Sequence, residues 1–98
     1  MEKESILIID DDISLLEITK LILCKKGFQV ETASTAGEAI AAVEKRFYNV
    51  AIVDISLPDM RGTELLPPLL DKHPDMLVMM LTGHASVQNV VDSLNQGA

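Results

Sequence analysis

The chain has one cysteine, no tryptophan, two phenylalanines and one tyrosine among its 98 residues. A single cysteine excludes an internal disulfide framework and fits a reducing compartment, so Cys24 reads as a small apolar helix residue. With 3% aromatic but 48% hydrophobic residues, the core has to be built from Ile, Leu, Val, Met and Ala, which suits helices packed on a sheet. Cations are also scarce: 8 Lys and Arg stand against 15 Asp and Glu, for a net charge of -7, and Lys25, Lys26, Lys45, Arg46, Arg61 and Lys72 are scattered singly or in pairs. Binding a phosphate backbone draws on clustered cations, so direct nucleic-acid partnership is not expected. No apolar run approaches the roughly 18 residues of a membrane span, and the opening MEKES has no secretory charge-then-apolar pattern. The expectation is one soluble cytoplasmic domain with no membrane partner.

What is present is an alternation of short aliphatic runs with stretches of helical period, the pattern of a parallel sheet flanked by helices. Ser5 to Ile9 reads as a strand buried on both faces. Ile13, Leu16, Thr19 and Leu23, with Leu15, Ile18 and Ile22, give a broad apolar helical stripe that stops at Lys25-Lys26-Gly27. Phe28 to Thr32 alternates like an edge strand. Thr35-Ala36-Gly37-Glu38 has capping-box spacing and opens a second helix through Ala39, Ile40, Ala42 and Val43. Asn49 to Val53 is a third strand, running into Asp54. Ile55 to Gly62, with Pro58, is a loop, and Thr63 to Lys72 is a third helix in which Pro67-Pro68 predicts a kink or a late start. Met76 to Leu81 is a fourth strand, and Ser86 caps a last helix with Val87, Val90, Val91 and Leu94 inward.

The chemistry falls at strand ends. Ligands of open parallel sheets bind outside the carboxyl ends of the strands, and Asp10-Asp11-Asp12, Asp54 and Thr82-Gly83 all occupy such ends. With strand order 2-1-3-4, Asp11 and Asp54 face each other across one crevice. Carboxylates this close repel unless a hard cation offsets them, which points to a Mg²⁺ site rather than an acid/base pair. Asp12 alone is explained by the N-terminus of the first helix. Thr82 and Gly83 supply a hydroxyl and an approachable backbone N–H, the donors a phosphoryl oxygen needs.

Taken together, ILIIDDD, AIVDISLPDMRG and VMMLTGHAS resemble the receiver domain of two-component response regulators, in order and spacing over the whole chain. The resemblance implies a flavodoxin-like doubly wound α/β fold. It implies that Asp54 accepts a phosphoryl group from a phosphohistidine on a sensor histidine kinase or histidine phosphotransfer protein. Asp10, Asp11, Asp54 and the Ser56 backbone carbonyl would hold Mg²⁺, Asp10 acting through water. Thr82 would be the switch hydroxyl, with the Gly83 N–H donating beside it. The output would be a changed surface read by an effector domain or a downstream protein, not an enzymatic product.

The sequence also departs from that family. Pro67-Pro68 is unusual in the third helix, and Arg61 stands where an acidic residue is frequent. The family's fifth strand, aromatic switch residue, lysine before proline and fifth helix have no counterpart. Residues 1–98 are therefore expected to be a C-terminally incomplete receiver domain whose fourth strand is an exposed apolar edge, a homodimer being one way to cover it. Two rivals are carried. Asp10, Asp12 and Ser14 match the opening motif of haloacid dehalogenase-like Mg²⁺ phosphatases, with Asp10 as nucleophile, although Asp54 then has no role. The other rival is a receiver-like module that binds partners without phosphorylation. His73 reads as a solvated helix end and His84 as a loop residue; no GxGxxG follows the first strand, which removes dinucleotide binding.

Overall fold

Ser5–Ile9 (SILII) is buried at every residue and forms strand β1. Val50–Asp54 (VAIVD), strand β3, is buried in the same way. Strands covered on both faces read as unbroken aliphatic runs, and these two lie side by side at the centre of the sheet. The computed structural model describes residues 4–54 and 57–81. Around β1 and β3 it arranges α1 (Ile13–Lys25), β2 (Gln29–Ala33), α2 (Ala36–Lys45), α3 (Gly62–Lys72) and β4 (Leu77–Leu81). All pairings are parallel and the order is β2-β1-β3-β4, as the sequence led one to expect. The fourth helical segment of the sequence reading, from Ser86, lies outside the described residues, as does His84.

Strand periodicity divides the core in two. Leu7 and Ile9 of β1 and Ala51 and Val53 of β3 join Ala39 and Val43 of α2 and Leu65 and Leu69 of α3 on one face. Ile6, Ile8, Val50 and Ile52 face the other way, onto Leu16 and Leu23 of α1. Each Leu, Ile or Val among them contributes on the order of 1.5–3 kcal/mol by leaving water.

On that second face the broad stripe expected for α1 is narrower. Leu16, Thr19 and Leu23 are buried, but Ile13, Ile18 and Leu21 are each more than half exposed, and Cys24 is exposed rather than packed. The reason is coverage: α1 lies over β1 and β2 and so buries one narrow side. Its ends follow local chemistry. Asp12 caps the first turn, its side chain accepting from the Leu15 N–H at 3.1 Å, and Gly27, past the Lys26 C-cap, takes the positive φ of 101° that a side chain would resist.

The third helix runs without interruption from Gly62 to Lys72, with Pro67 and Pro68 inside it. It neither starts late nor stops at the pair. Leu65 and Leu69, fully buried on the α2 side, hold the helix through the two positions that lack an N–H. Burial on one face thus outweighs a propensity deficit of about 3 kcal/mol per interior proline. Pro67 is exposed, so Pro67→Ala is expected to stabilise the domain by about 2 kcal/mol, the helical gain less about 0.4–1 kcal/mol of unfolded-chain stiffness given up. A higher urea midpoint at unchanged slope would show it, and an unchanged midpoint would mean that the helix already relaxes around the missing donor.

His73, expected to be a solvated helix end, is instead a tie between helices. It is the C-cap of α3, its Nε2 lies 2.8 Å from the Val43 carbonyl of α2, and its ring meets Phe47 edge to face at 5.2 Å. A carbonyl only accepts, so the Nε2 atom carries the hydrogen.

Candidate functional site

Ile9 pairs with Val53, so Asp10 and Asp54 come off neighbouring strands at the same level. The Asp10 N–H still donates to the Ala33 carbonyl at 3.0 Å, which keeps the backbone on line with the sheet for one residue past β1. Its side chain then turns the chain: Oδ1 accepts from the Asp12 N–H at 2.9 Å. That turn separates the three consecutive aspartates. Asp12 goes to the N-terminus of α1, Asp11 is exposed, and Asp10 is half-buried. Asp54, the last residue of β3, is only 6% exposed.

One carboxylate oxygen from each of Asp10, Asp11 and Asp54 lies within 4.8 Å of the other two. Such a group is costly in the metal-free state. Burial pushes the Asp10 carboxyl above its ordinary value; the Asp12 N–H pulls it down, and the charges of Asp54 and Asp11 push it up again. A carboxyl raised in the folded state makes the metal-free protein more stable below the unfolded-state value and less stable as pH rises through the folded one. Asp10→Asn is therefore expected to raise Tm at neutral pH and to leave it unchanged at acidic pH, where Asp10 is already protonated; a thermal scan at the two pH values checks this.

The donor set fits a hard divalent cation. Three carboxylates offer oxygens only, and octahedral ligands at about 2.1 Å stand about 3 to 4 Å apart, inside the 4.8 Å within which these oxygens lie. Of the other residues singled out in the sequence, Ser56, Thr82 and Gly83 lie outside the described residues. The strand preceding Thr82 ends at Leu81, paired with Asp54.

The sequence reading gave no role to Asp59. The structure sets both of its carboxylate oxygens on the first turn of α2, accepting from the Ala36 N–H at 2.8 Å and the Gly37 N–H at 3.0 Å. These two bonds hold the Asp59 carboxyl below its ordinary value. The capping box at Thr35 is present in a shifted form: Thr35 Oγ1 accepts from the Glu38 N–H, while Glu38 Oε1 accepts from the N–H of Ser34 instead of Thr35. No local motif announces the Asp59 contact, because its partners are 22 and 23 residues away in sequence.

A profile of the response regulator receiver domain matches residues 6–98. The chain belongs to the receiver family. Receiver domains are the phosphoacceptor modules of two-component signalling, and the dehalogenase-like alternative falls with this match. Among curated proteins, the photosynthetic apparatus regulatory protein RegA of Rhodovulum sulfidophilum is 37% identical over 99% of this chain and 53% of its own length. The probable transcriptional regulatory protein TcrX of Mycobacterium tuberculosis is 31% identical over 95% of this chain and 40% of its own length. This receiver thus spans about half the length of the curated relatives it matches. Among solved structures, a CheY-like receiver domain protein from Methanospirillum hungatei superposes with a TM-score of 0.81 at 50% identity, over 99% of this chain and 78% of that one. A response regulator from Burkholderia pseudomallei, solved with a phosphorylated aspartic acid, a calcium ion and citrate, does so at 0.80 and 29% identity, over 98% of this chain and 56% of that one. Among the described residues, no helix of this receiver is long and apolar enough to cross a membrane.

Proposed function

We propose that Asp54 is the phosphoacceptor of this receiver and that Asp10, Asp11 and Asp54, with the Ser56 carbonyl, hold Mg²⁺. The observation that carries this reading is the convergence of one buried, one half-buried and one exposed carboxylate at the ends of two paired strands. An oxygen of the Asp54 carboxylate attacks phosphorus, the P–N bond of a phosphohistidine breaks, and the imidazole leaves with the electron pair and is protonated. When bound, Mg²⁺ offsets the negative charge that the carboxylates and the incoming phosphoryl group would otherwise set against each other. Asp10 and Asp11 hold that charge balance from β1, and the rigid β1–β3 pairing fixes the distance between the two halves. Thr82 and Gly83 are proposed as donors to the phosphoryl oxygens.

The partners follow from the chemistry. A sensor histidine kinase or a histidine phosphotransfer protein supplies the group. An effector domain or a downstream protein reads the surface that changes once Asp54 gains about -1.5 to -2 of charge. The test is incubation with Mg²⁺ and acetyl phosphate, followed by mass measurement. One added phosphoryl group, stable in acid and lost in base, is the expected result; no label under any condition would favour a module that binds partners without phosphorylation.

A further inference from the structure

Asp59 lies outside the carboxylate cluster, and the proposed phosphoryl chemistry does not use it. Both of its oxygens are engaged with the first two residues of α2, Ala36 and Gly37. A helix start ordinarily receives its acceptor from its own N-cap, and here Thr35 does serve the third N–H, that of Glu38, at 3.1 Å. The two remaining amides are taken by a carboxylate from a distant loop, whose charge also suits the positive end of the helix.

That loop is the one leaving Asp54. Only Ile55, Ser56, Leu57 and Pro58 separate Asp54 from Asp59. Pro58 has its φ fixed near -65° and restricts Leu57 before it to extended backbone. Leu57 and Met60, which bracket Pro58 and Asp59, both pack against the core cluster under α2 and α3. The described part of this connection, Leu57 to Met60, is thus held to the core and to α2 within a few residues of Asp54.

We propose that Asp59 is a positioning residue coupling the phosphoacceptor to the N-terminus of α2. Resting on the assignment of Asp54 above, it means that phosphorylation shifts the loop, that Asp59 passes the shift to the Ala36 and Gly37 amides, and that the start of α2 joins the surface altered by the signal. The test is amide hydrogen exchange by NMR on the whole chain, with Mg²⁺ and beryllofluoride as the phosphoryl probe, in the wild type, Asp59→Ala, Asp59→Asn and Thr35→Ala.

In the wild type, beryllofluoride is expected to change exchange at Ala36 and Gly37 by about fivefold or more, the scale of one capping interaction. In Asp59→Ala both amides exchange faster at the outset and stop responding, while Asp10 to Asp12 and Asp54 still respond. Asp59→Asn, which keeps one acceptor oxygen, retains the response at one of the two amides. Thr35→Ala weakens the same helix start but keeps the response, which a purely structural role for Asp59 would not predict. Shifts at Asp54 with Ala36 and Gly37 unmoved, or a full response in Asp59→Ala, overturn the coupling alone. No response at Asp10 to Asp12 or Asp54 overturns the phosphoacceptor assignment and the coupling with it.

Discussion

Asp54→Asn is expected to take up no base-labile phosphoryl group from acetyl phosphate under conditions that label the wild type. The substitution keeps the size of the side chain and an acceptor oxygen, so the packing around a residue only 6% exposed is preserved. What it removes is the anionic oxygen that would form the new bond to phosphorus, and an amide is a far weaker nucleophile. Asp10→Asn is the necessary comparison. It weakens cation binding and should slow labelling, yet leaves the acceptor in place, so slow labelling at Asp54 is expected to persist. The opposite pattern, label kept in Asp54→Asn and lost in Asp10→Asn, would transfer the nucleophile's role to β1. Peptide mapping of the labelled wild type adds a direct check on the position.

The second large effect expected is that of the cation. Chelation with EDTA should stop labelling altogether. Readdition of Mg²⁺ should restore it and also stabilise the fold, because an ion that binds only the folded state adds RT ln(1 + [L]/Kd), about 2.7 kcal/mol at a hundred times Kd. For a domain of this size that corresponds to a rise in Tm of about 10–20 °C. The source of the stabilisation is specific: metal-free, the protein holds three carboxylates with oxygens within 4.8 Å of one another, one of them already pushed toward protonation. In Asp10→Asn/Asp11→Asn the repulsion is relieved and two of the proposed ligands are lost. That double variant should start with a higher Tm without Mg²⁺ and gain almost nothing when it is added. An equal gain in wild type and double variant would mean that Mg²⁺ acts at another place.

Strands and topology were legible in the sequence because they depend on local composition. Four aliphatic residues bounded by polar ones, as in ILII and VAIV, leave few alternatives to a buried strand, and the turn residues between helices and strands fix the alternation. The carboxylate site was legible for the same reason, since strand ends in a parallel sheet share one rim. Side-chain placement on α1 was less so: the periodicity puts Ile13 and Ile18 in the apolar stripe but says nothing of whether a neighbour covers them. Pro67-Pro68 misled as to a late start of α3 because helix propensity is a local quantity, and the burial of Leu65 and Leu69 that overrides it is not. His73 and Asp59 were missed on the same principle. Each acts on a different helix, through a bond to a backbone group that every residue possesses, so no particular partner type appears in the sequence to betray it.

The pairing of β1 with β3 has a consequence for when the site comes into being. In the order β2-β1-β3-β4 the chain first goes out to β2 at the edge and then returns past β1, so bringing Asp10 beside Asp54 closes a loop that contains α1, β2 and α2. Closure of such a loop precedes the contacts that reward it and is slow compared with helix formation. A nascent chain, or one opened at its central strands, therefore has the three aspartates but not the carboxylate cluster they form. The proposed site thus comes into being only in molecules that have completed the β1–β3 pairing.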